Sequence, residues 1–221
     1  IIGGAGADTI DGDAGADTAS YADIVTGSAQ HGIADGELSG IAVNLSASVV
    51  GGAAIDSAMA GTVYLGGGAD ATSHGADLAV GGVGYIVSGG DDVGGGVRDT
   101  LANIEGVTGS ARADYMLGSA NNDTFIGGAG ADVMDAAAGT GDVLSYADIV
   151  AGSDQHGITD ADLFGVIINV SGSGITQATL TAAMQAAGTD TYHTPSNADT
   201  ADGKAGYIAA ASGTTGAAVL D

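Results

Sequence analysis

The 221-residue chain carries 27 Asp and Glu against three Lys and Arg, a formal net charge of −24, and so much negative charge excludes nucleic acid and anionic membrane surfaces as partners. With 42 glycines, one proline and no cysteine, it cannot be a disulfide framework, a thiolate metal protein or a collagen, while its 45% hydrophobic content, rich in small side chains, suits a core of thin, tightly stacked layers. No run is long and apolar enough for a membrane-spanning helix, so no membrane insertion is expected, and self-repulsion on this scale calls for bound counter-cations.

The first predicted elements are two turn–strand units, GGAGADTID over 3–11 and GDAGADTAS over 12–20. In each, glycines allow a six-residue turn to take positive φ and bring backbone carbonyls close to an ion. The closing Asp8 or Asp17 adds a hard carboxylate, suited to calcium. The next three residues read as a short strand whose middle side chain, Ile10 or Ala19, points inward.

About 80 residues of different character follow, beginning with SYADIVTGSAQHGI over 20–33. IAVNLSA predicts a strand with Ile41, Val43 and Leu45 inward, 53–61 a short helix, and VGYI at 83–86 a further apolar stretch. DTLANIEGVTGS over 99–110 leads into the next turns, with Leu101, Ile104 and Val107 expected to cap the first coil.

Four more turn–strand units come next: GSARADYML (109–117), GSANNDTFI (118–126), GGAGADVMD (127–135) and AAAGTGDVLS (136–145). Their closing acids are Asp114, Asp123, Asp132 and Asp142, and their inward residues Met116, Phe125, Met134 and Leu144. The units are not equal. Turns 3–8 and 127–132 keep every glycine, Asp13 replaces the second glycine of its turn, Asn121 and Arg112 replace the fourth, and the last turn has one extra residue, as a capping coil without an ion would.

The chain then repeats itself. SYADIVAGSDQHGI over 145–158 matches 20–33 at 12 of 14 positions, and the spacing of 125, from Tyr21 to Tyr146, persists from IAVNLS (41–46) to VIINVS (166–171), with Val166, Ile168 and Val170 inward. A second helix is predicted over 176–188, with Leu180, Ala183, Met184 and Ala187 on one face, and AGYI at 205–208 answers VGYI at a spacing of 122. Two incomplete copies with ragged ends lead to the expectation of a longer array.

The nine-residue units resemble the GGxGxDxUx nonapeptide of the RTX, or haemolysin-type calcium-binding, family. The resemblance implies a parallel β-roll in which two nonapeptides form one coil and turns on one side recur every second repeat. It further implies calcium between Asp114 and Asp132 on one edge and between Asp123 and Asp142 on the other, with Asp8 and Asp17 in the corresponding places of the first block and partly paired upstream of Ile1. Gly3, Gly6, Gly127 and Gly130 belong to the two complete turns and are assigned to the metal sites with these acids. The expected class is all-β: β-roll blocks at 1–20 and 99–145 (with its lead-in) alternating with β-rich inserts, each carrying a short helix, at 21–98 and 146–221.

His31 and His156 stand at equivalent places, followed by Asp35/Glu37 and Asp160/Asp162. Zinc binding or acid–base work is one reading; a hydrogen-bonded surface loop or accessory calcium loop is the preferred one. With no GxSxG, HExxH or phosphate-binding loop, no catalytic residue and no organic cofactor is expected. The function expected is a calcium-hardened segment of a secreted repetitive surface protein, whether surface layer, filament or adhesin array, extracellular and self-associating; the RTX resemblance implies export by a type I system. Its rival is the calcium roll of a type I-secreted hydrolase or polysaccharide-modifying enzyme. The 125-residue repeat favours the former, because a roll attached to an enzyme needs no large repeating inserts.

Overall fold

The computed structural model describes residues 1–36, 38–47, 50, 55, 82–88, 97–130, 132–150 and 152, together with 163–169, 192–193 and 205–211; for this last group and for 83 and 85–88 only the backbone is described. The chain divides into two compact units, Ile1–Ser145 and Tyr146–Asp221.

The first unit is built from strands too short to be stable singly. β1 (Thr9–Asp11) and β2 (Thr18–Ser20) come from the first block. The insert gives β3 (Leu38–Asn44) and β4 (Val83–Ser88), the lead-in β5 (Val97–Ala102) and β6 (Gly106–Thr108), and the second block β7 (Tyr115–Leu117), β8 (Thr124–Ile126), β9 (Val133–Asp135) and β10 (Val143–Ser145). The ten strands are divided between two sheets, alternating except at β3, β4 and β5, which share one. One has four strands in the order β10-β8-β6-β2, parallel throughout; the other has six in the order β1-β5-β4-β3-β7-β9.

Blocks far apart in sequence thus form one roll. Thr9, Ile10 and Asp11 pair with Thr100, Leu101 and Ala102, and Thr18, Ala19 and Ser20 with Gly106, Val107 and Thr108. The lead-in is therefore a coil between the two blocks. On the four-stranded side β6 pairs directly with β8, whereas on the six-stranded side the antiparallel hairpin β3–β4 stands between β5 and β7.

The apolar phase of the nonapeptides explains the stack. Ala19, Met116 and Phe125 are fully buried and Ile10 nearly so, and they meet Leu101, Ile104, Val107, Ile41, Val43, Tyr21, Ile24, Ile33 and Leu38 in one core, with Met134 and Leu45 partly buried against it. Leu144, expected inward, is 41% exposed; among the described strands β10 is the end strand of its sheet. The expected in–out alternation of β3 also changes: Ala42, on the face opposite Ile41 and Val43, is buried with Val50, Ile55 and Tyr115. Apolar residues of the insert cover the outer face of the sheet at this point, so β3 is buried on both sides.

A polar lock fastens the insert to the lead-in. The hydroxyl of Tyr21, a buried residue, donates to Asp99 Oδ2 at 3.0 Å, and Asp99 Oδ1 accepts the Asp8 amide at 2.9 Å. Gly84 makes room for the phenol, since a Cβ there would lie 1.9 Å from the Tyr21 oxygen. Burial, then the neighbouring Asp99 charge, pushes the Tyr21 phenol far above its ordinary range, so it remains a donor. Burial also raises the Asp99 carboxyl, against the lowering effect of its two donors. Tyr21→Phe is expected to lower the stability of the calcium-loaded protein by about 1.5–3 kcal/mol, the usual worth of a hydrogen bond to a charged group, as read from urea denaturation.

In the second unit β11 (Leu163–Asn169), β13 (Ala205–Ala211) and β12 (Tyr192–His193) form an antiparallel sheet in the order β11-β13-β12. Its main hairpin reproduces that of the first unit. Ile41 pairs with Ile86 as Val166 does with Ile208, and both hairpins shift register at the same place, Leu38/Gly40 and Leu163/Gly165. The spacings of 125 and 122 read from the sequence are thus those of one hairpin made twice. Of the predicted helices, 176–188 lies outside the described residues and so does 53–61 except for Ile55, which is helical; Val170 also lies outside them.

Candidate metal centre

Each nonapeptide turn ends in an acid immediately before a strand, so stacking the strands stacks the acids along the two edges of the roll. Asp132 Oδ1 accepts the amide of Asp114, and Asp142 Oδ1 that of Asp123, each at 2.9 Å. The pairs expected from the sequence are therefore adjacent on successive coils. Asp114, Asp123 and Asp132 are buried, at 0–1% exposure. A buried carboxylate must be hydrogen-bonded or neutralised by a cation.

The first block obeys the same rule with partners that the nonapeptide pattern does not contain. The Asp8 amide donates to Asp99 at 2.9 Å and the Asp17 amide to Glu105 Oε2 at 3.1 Å. Asp99 and Glu105 thus occupy the places of nonapeptide acids in the lead-in coil. A signal was present: Asp99-Thr100-Leu101 repeats the Asp-Thr-apolar order of Asp8-Thr9-Ile10 and Asp123-Thr124-Phe125. The six-residue spacing from Asp99 to Glu105, in place of nine, hid it.

Turn geometry fits a hard cation. In the complete turns Gly4 and Gly6 have φ of 88° and 113°, and Gly128 and Gly130 have 87° and 134°. Turn 127–132 lies so close over 109–114 that a Cβ on Gly128 would be 2.2 Å from the Ser110 carbonyl oxygen, and one on Gly130 2.3 Å from that of Arg112. Only glycine permits that approach, and it gathers backbone oxygens beside Asp114 and Asp132. In turn 3–8, Asp8 Oδ2 is buried and takes no hydrogen bond among the described residues, an oxygen oriented for a ligand. Carboxylate and carbonyl oxygens are the donor set that calcium prefers.

The substituted turns solve the backbone problem in two ways. Asp13 and Ala137, at the second position, take positive φ of 59° and 60° despite their side chains. Asn121 and Arg112, at the fourth, do not take positive φ; instead Ser110 and Ser119 at the second position reorganise their turns. Arg112 pairs with Asp35 and donates to the Leu38 carbonyl at 2.7 Å, fastening the loop of the insert to the roll.

His31 lies 3.6 Å from Asp23 through Nε2, and Asp35 is engaged by Arg112 and by the Gly27 amide. Among the described residues no three His, Asp or Glu side chains converge as a side-chain metal cluster would require. Glu37, His156, Asp160 and Asp162 lie outside the described residues.

Residues 1–21 and 108–143 match the family described as the RTX calcium-binding nonapeptide repeat, in four copies. The chain therefore carries RTX repeats, which bind Ca²⁺, in both blocks of the roll; the inserts lie outside the match. Comparison with curated proteins and with solved structures gave no match.

Proposed function

We propose that this chain is a calcium-dependent structural segment of a secreted, repetitive surface protein, part of a surface-layer, filament or adhesin array, with no catalytic role of its own. The observation that carries this reading is the repeated hairpin: β3–β4 is built into the roll, and β11–β13 reproduces its register at spacings of 125 and 122 residues. A calcium roll attached to an enzyme has no need of a second such element. Gly3, Gly6, Asp8 and Asp17 in the first block, and Asp114, Asp123, Gly127, Gly130, Asp132 and Asp142 in the second, would hold the ions. Calcium, when bound, neutralises the stacked carboxylates and draws adjacent coils together. An extracellular location supplies the metal, and export unfolded through a type I system would precede it. The segments 1–20, 21–98, 99–145 and 146–221 are proposed as the working units of the array.

Two measurements test this reading. Circular dichroism should show strand content rising with calcium, at a midpoint on the order of 10⁻⁴ to 10⁻³ M as for extracellular calcium modules, because binding must offset charge repulsion and the entropy of ordering. A spectrum indifferent to excess chelator would sink the calcium-dependent fold. Light scattering should show calcium promoting association of the protein, since bridging cations remove the repulsion between chains of charge −24. Particles that stay monomeric at millimolar calcium would leave a rigid stalk in place of an array.

A further inference from the structure

Residues 3–20 and 127–145 are equivalent stretches of the two blocks. Each is a GGAGAD turn with its strand, then a second turn with its strand, ending in the SYADIV that opens an insert. β9 therefore stands where β1 does, and β10 where β2 does. In the first block both strands are covered by the lead-in. β5 pairs with β1 and β6 with β2, which puts Leu101 beside Ile10 and Val107 beside Ala19 and leaves those two at 4% and 0% exposure. In the second block β9 and β10 are end strands of their sheets among the described residues. Met134 is only partly buried there, and Val143 and Leu144 are 48% and 41% exposed.

Strand order identifies what fits this end. Ile1-Ile2 aligns with Phe125-Ile126, and the Ser20 amide donates to the Ile1 carbonyl at 2.8 Å, so Ile1 flanks β2 as Phe125 flanks β10. On the four-stranded side the first block thus reads Ile1, β2, lead-in strand β6, and the second reads β8, β10 with no described strand beyond. Side chains agree with the order. Gly106 stands opposite Thr18, where a Cβ on it would lie 2.4 Å from Thr18 Oγ1. Val143, the counterpart of Thr18, is branched at Cβ in the same way, so a glycine is again what fits opposite it. Asp99 and Glu105 accept the amides of Asp8 and Asp17, and in the same register their counterparts would lie over Asp132 and Asp142.

We propose that the β9–β10 end of the roll is the docking site for a further lead-in coil, a segment with the Asp-Thr-Leu-x-x-Ile-Glu-Gly-Val pattern of 99–107, carried by the next repeat. The proposal rests on the array reading above and gives the array its joint. The incoming leucine pairs opposite Met134 and the incoming valine opposite Leu144, so the two sheets run on from one repeat to the next. An end strand is a template for such pairing, and exposed apolar side chains reward its coverage.

A synthetic peptide of residues 97–110, titrated to millimolar concentration into the whole chain in calcium, is the probe. Calorimetry should show saturable binding, and hydrogen exchange read by mass spectrometry should show β9 and β10 gaining protection. Leu144→Asp should weaken the peptide about tenfold or more, the scale of one leucine left unburied. Its circular dichroism should match that of the parent, because the side chain it alters is already exposed. A peptide carrying Gly106→Val should not bind. No binding to a chain that folds in calcium, or protection gained elsewhere than β9 and β10, overturns the docking site and leaves the calcium reading standing. Protection of β9 and β10 without peptide that falls on dilution would assign the end to a second copy of the chain and overturn the proposal as well. Strand content indifferent to chelator would sink the calcium reading alone, since the peptide titration on the folded chain still decides the docking. Peptide binding by a chain that light scattering finds monomeric in calcium would keep the docking site and count against self-association.

Discussion

Phe125→Ala is expected to destabilise the calcium-loaded protein by about 3–5 kcal/mol, the usual cost of emptying a fully buried phenylalanine site. Phe125 is the largest of the fully buried side chains among the described residues, and its strand pairs with β6 and β10, so that Val107 and Leu144 flank it in register. Neither neighbour can refill the space: Val107 is held in its own layer by β2 and β8, and Leu144 is already half turned to solvent. If folding is coupled to calcium binding as proposed, the loss should also appear in the calcium midpoint. If two ions share a loss of about 3 kcal/mol, the midpoint should rise roughly tenfold, at about 1.4 kcal/mol per factor of ten. Leu144→Ala is the internal comparison and should shift the midpoint far less. Equal effects of the two substitutions would show that the core does not lie where the strand register puts it.

Period carried most of what could be read before the structure. The nine-residue recurrence placed Ile10, Ala19, Met116 and Phe125 correctly in the core, and the 125-residue recurrence is met where it is described, 41–44 and 166–169 pairing in the same register. What could not be read was pairing between segments far apart in the chain. Nothing local in β3 tells it to enter the roll between β5 and β7, because that choice is made by Val50 and Ile55 covering its second face and by Asp114 capping its Ile41 amide. For the same reason the lead-in was legible as an apolar cap but not as a coil with Asp99 and Glu105 in place of nonapeptide acids. The turns of Ser110 and Ser119 show a subtler limit. Read as substitutions, Asn121 and Arg112 stand where the pattern has glycine, the arginine less comfortably than the asparagine; in the structure neither takes positive φ, and their amides donate to Ser119 and Ser110.

Acid placement and metal dependence are linked through burial. At −24 the chain would ordinarily keep its carboxylates in water, yet Asp99, Asp114, Asp123 and Asp132 are all buried along the edges of the roll. Asp99 is held by a tyrosine and a backbone amide, Asp114 and Asp123 by serines and backbone amides. These dipoles lower the cost of burying each charge, but they do not cancel the repulsion between charges on successive coils. Calcium at the proposed sites between the coils would cancel it, and would let one edge be both acidic and closely packed.

Gly40→Ala should separate the insert from the roll. Gly40 lies at the register shift of β3 with φ of 139°, a conformation that alanine adopts only under strain of about 1–3 kcal/mol. Space is closed as well: a Cβ there would sit 2.0 Å from the Ala113 carbonyl oxygen and 2.9 Å from Asp114 Oδ1. The first of these is backbone and cannot rotate away, so β3 must move off β7. Movement breaks the bond from the Ile41 amide to Asp114, a further loss of about 1.5–3 kcal/mol for a buried charged acceptor. The two terms act on the same joint, and together they should cost several kcal/mol in urea denaturation at saturating calcium. Gly36→Ala is the control, since a Cβ there meets nothing within 4 Å, and it should leave stability unchanged within about 0.5 kcal/mol. In hydrogen exchange the Gly40 variant should lose protection in β3 and β7 together while the four-stranded sheet, where β6 pairs directly with β8, keeps more of its own. A Gly40 variant as stable as the Gly36 control would mean that the hairpin is not seated between the lead-in and the second block.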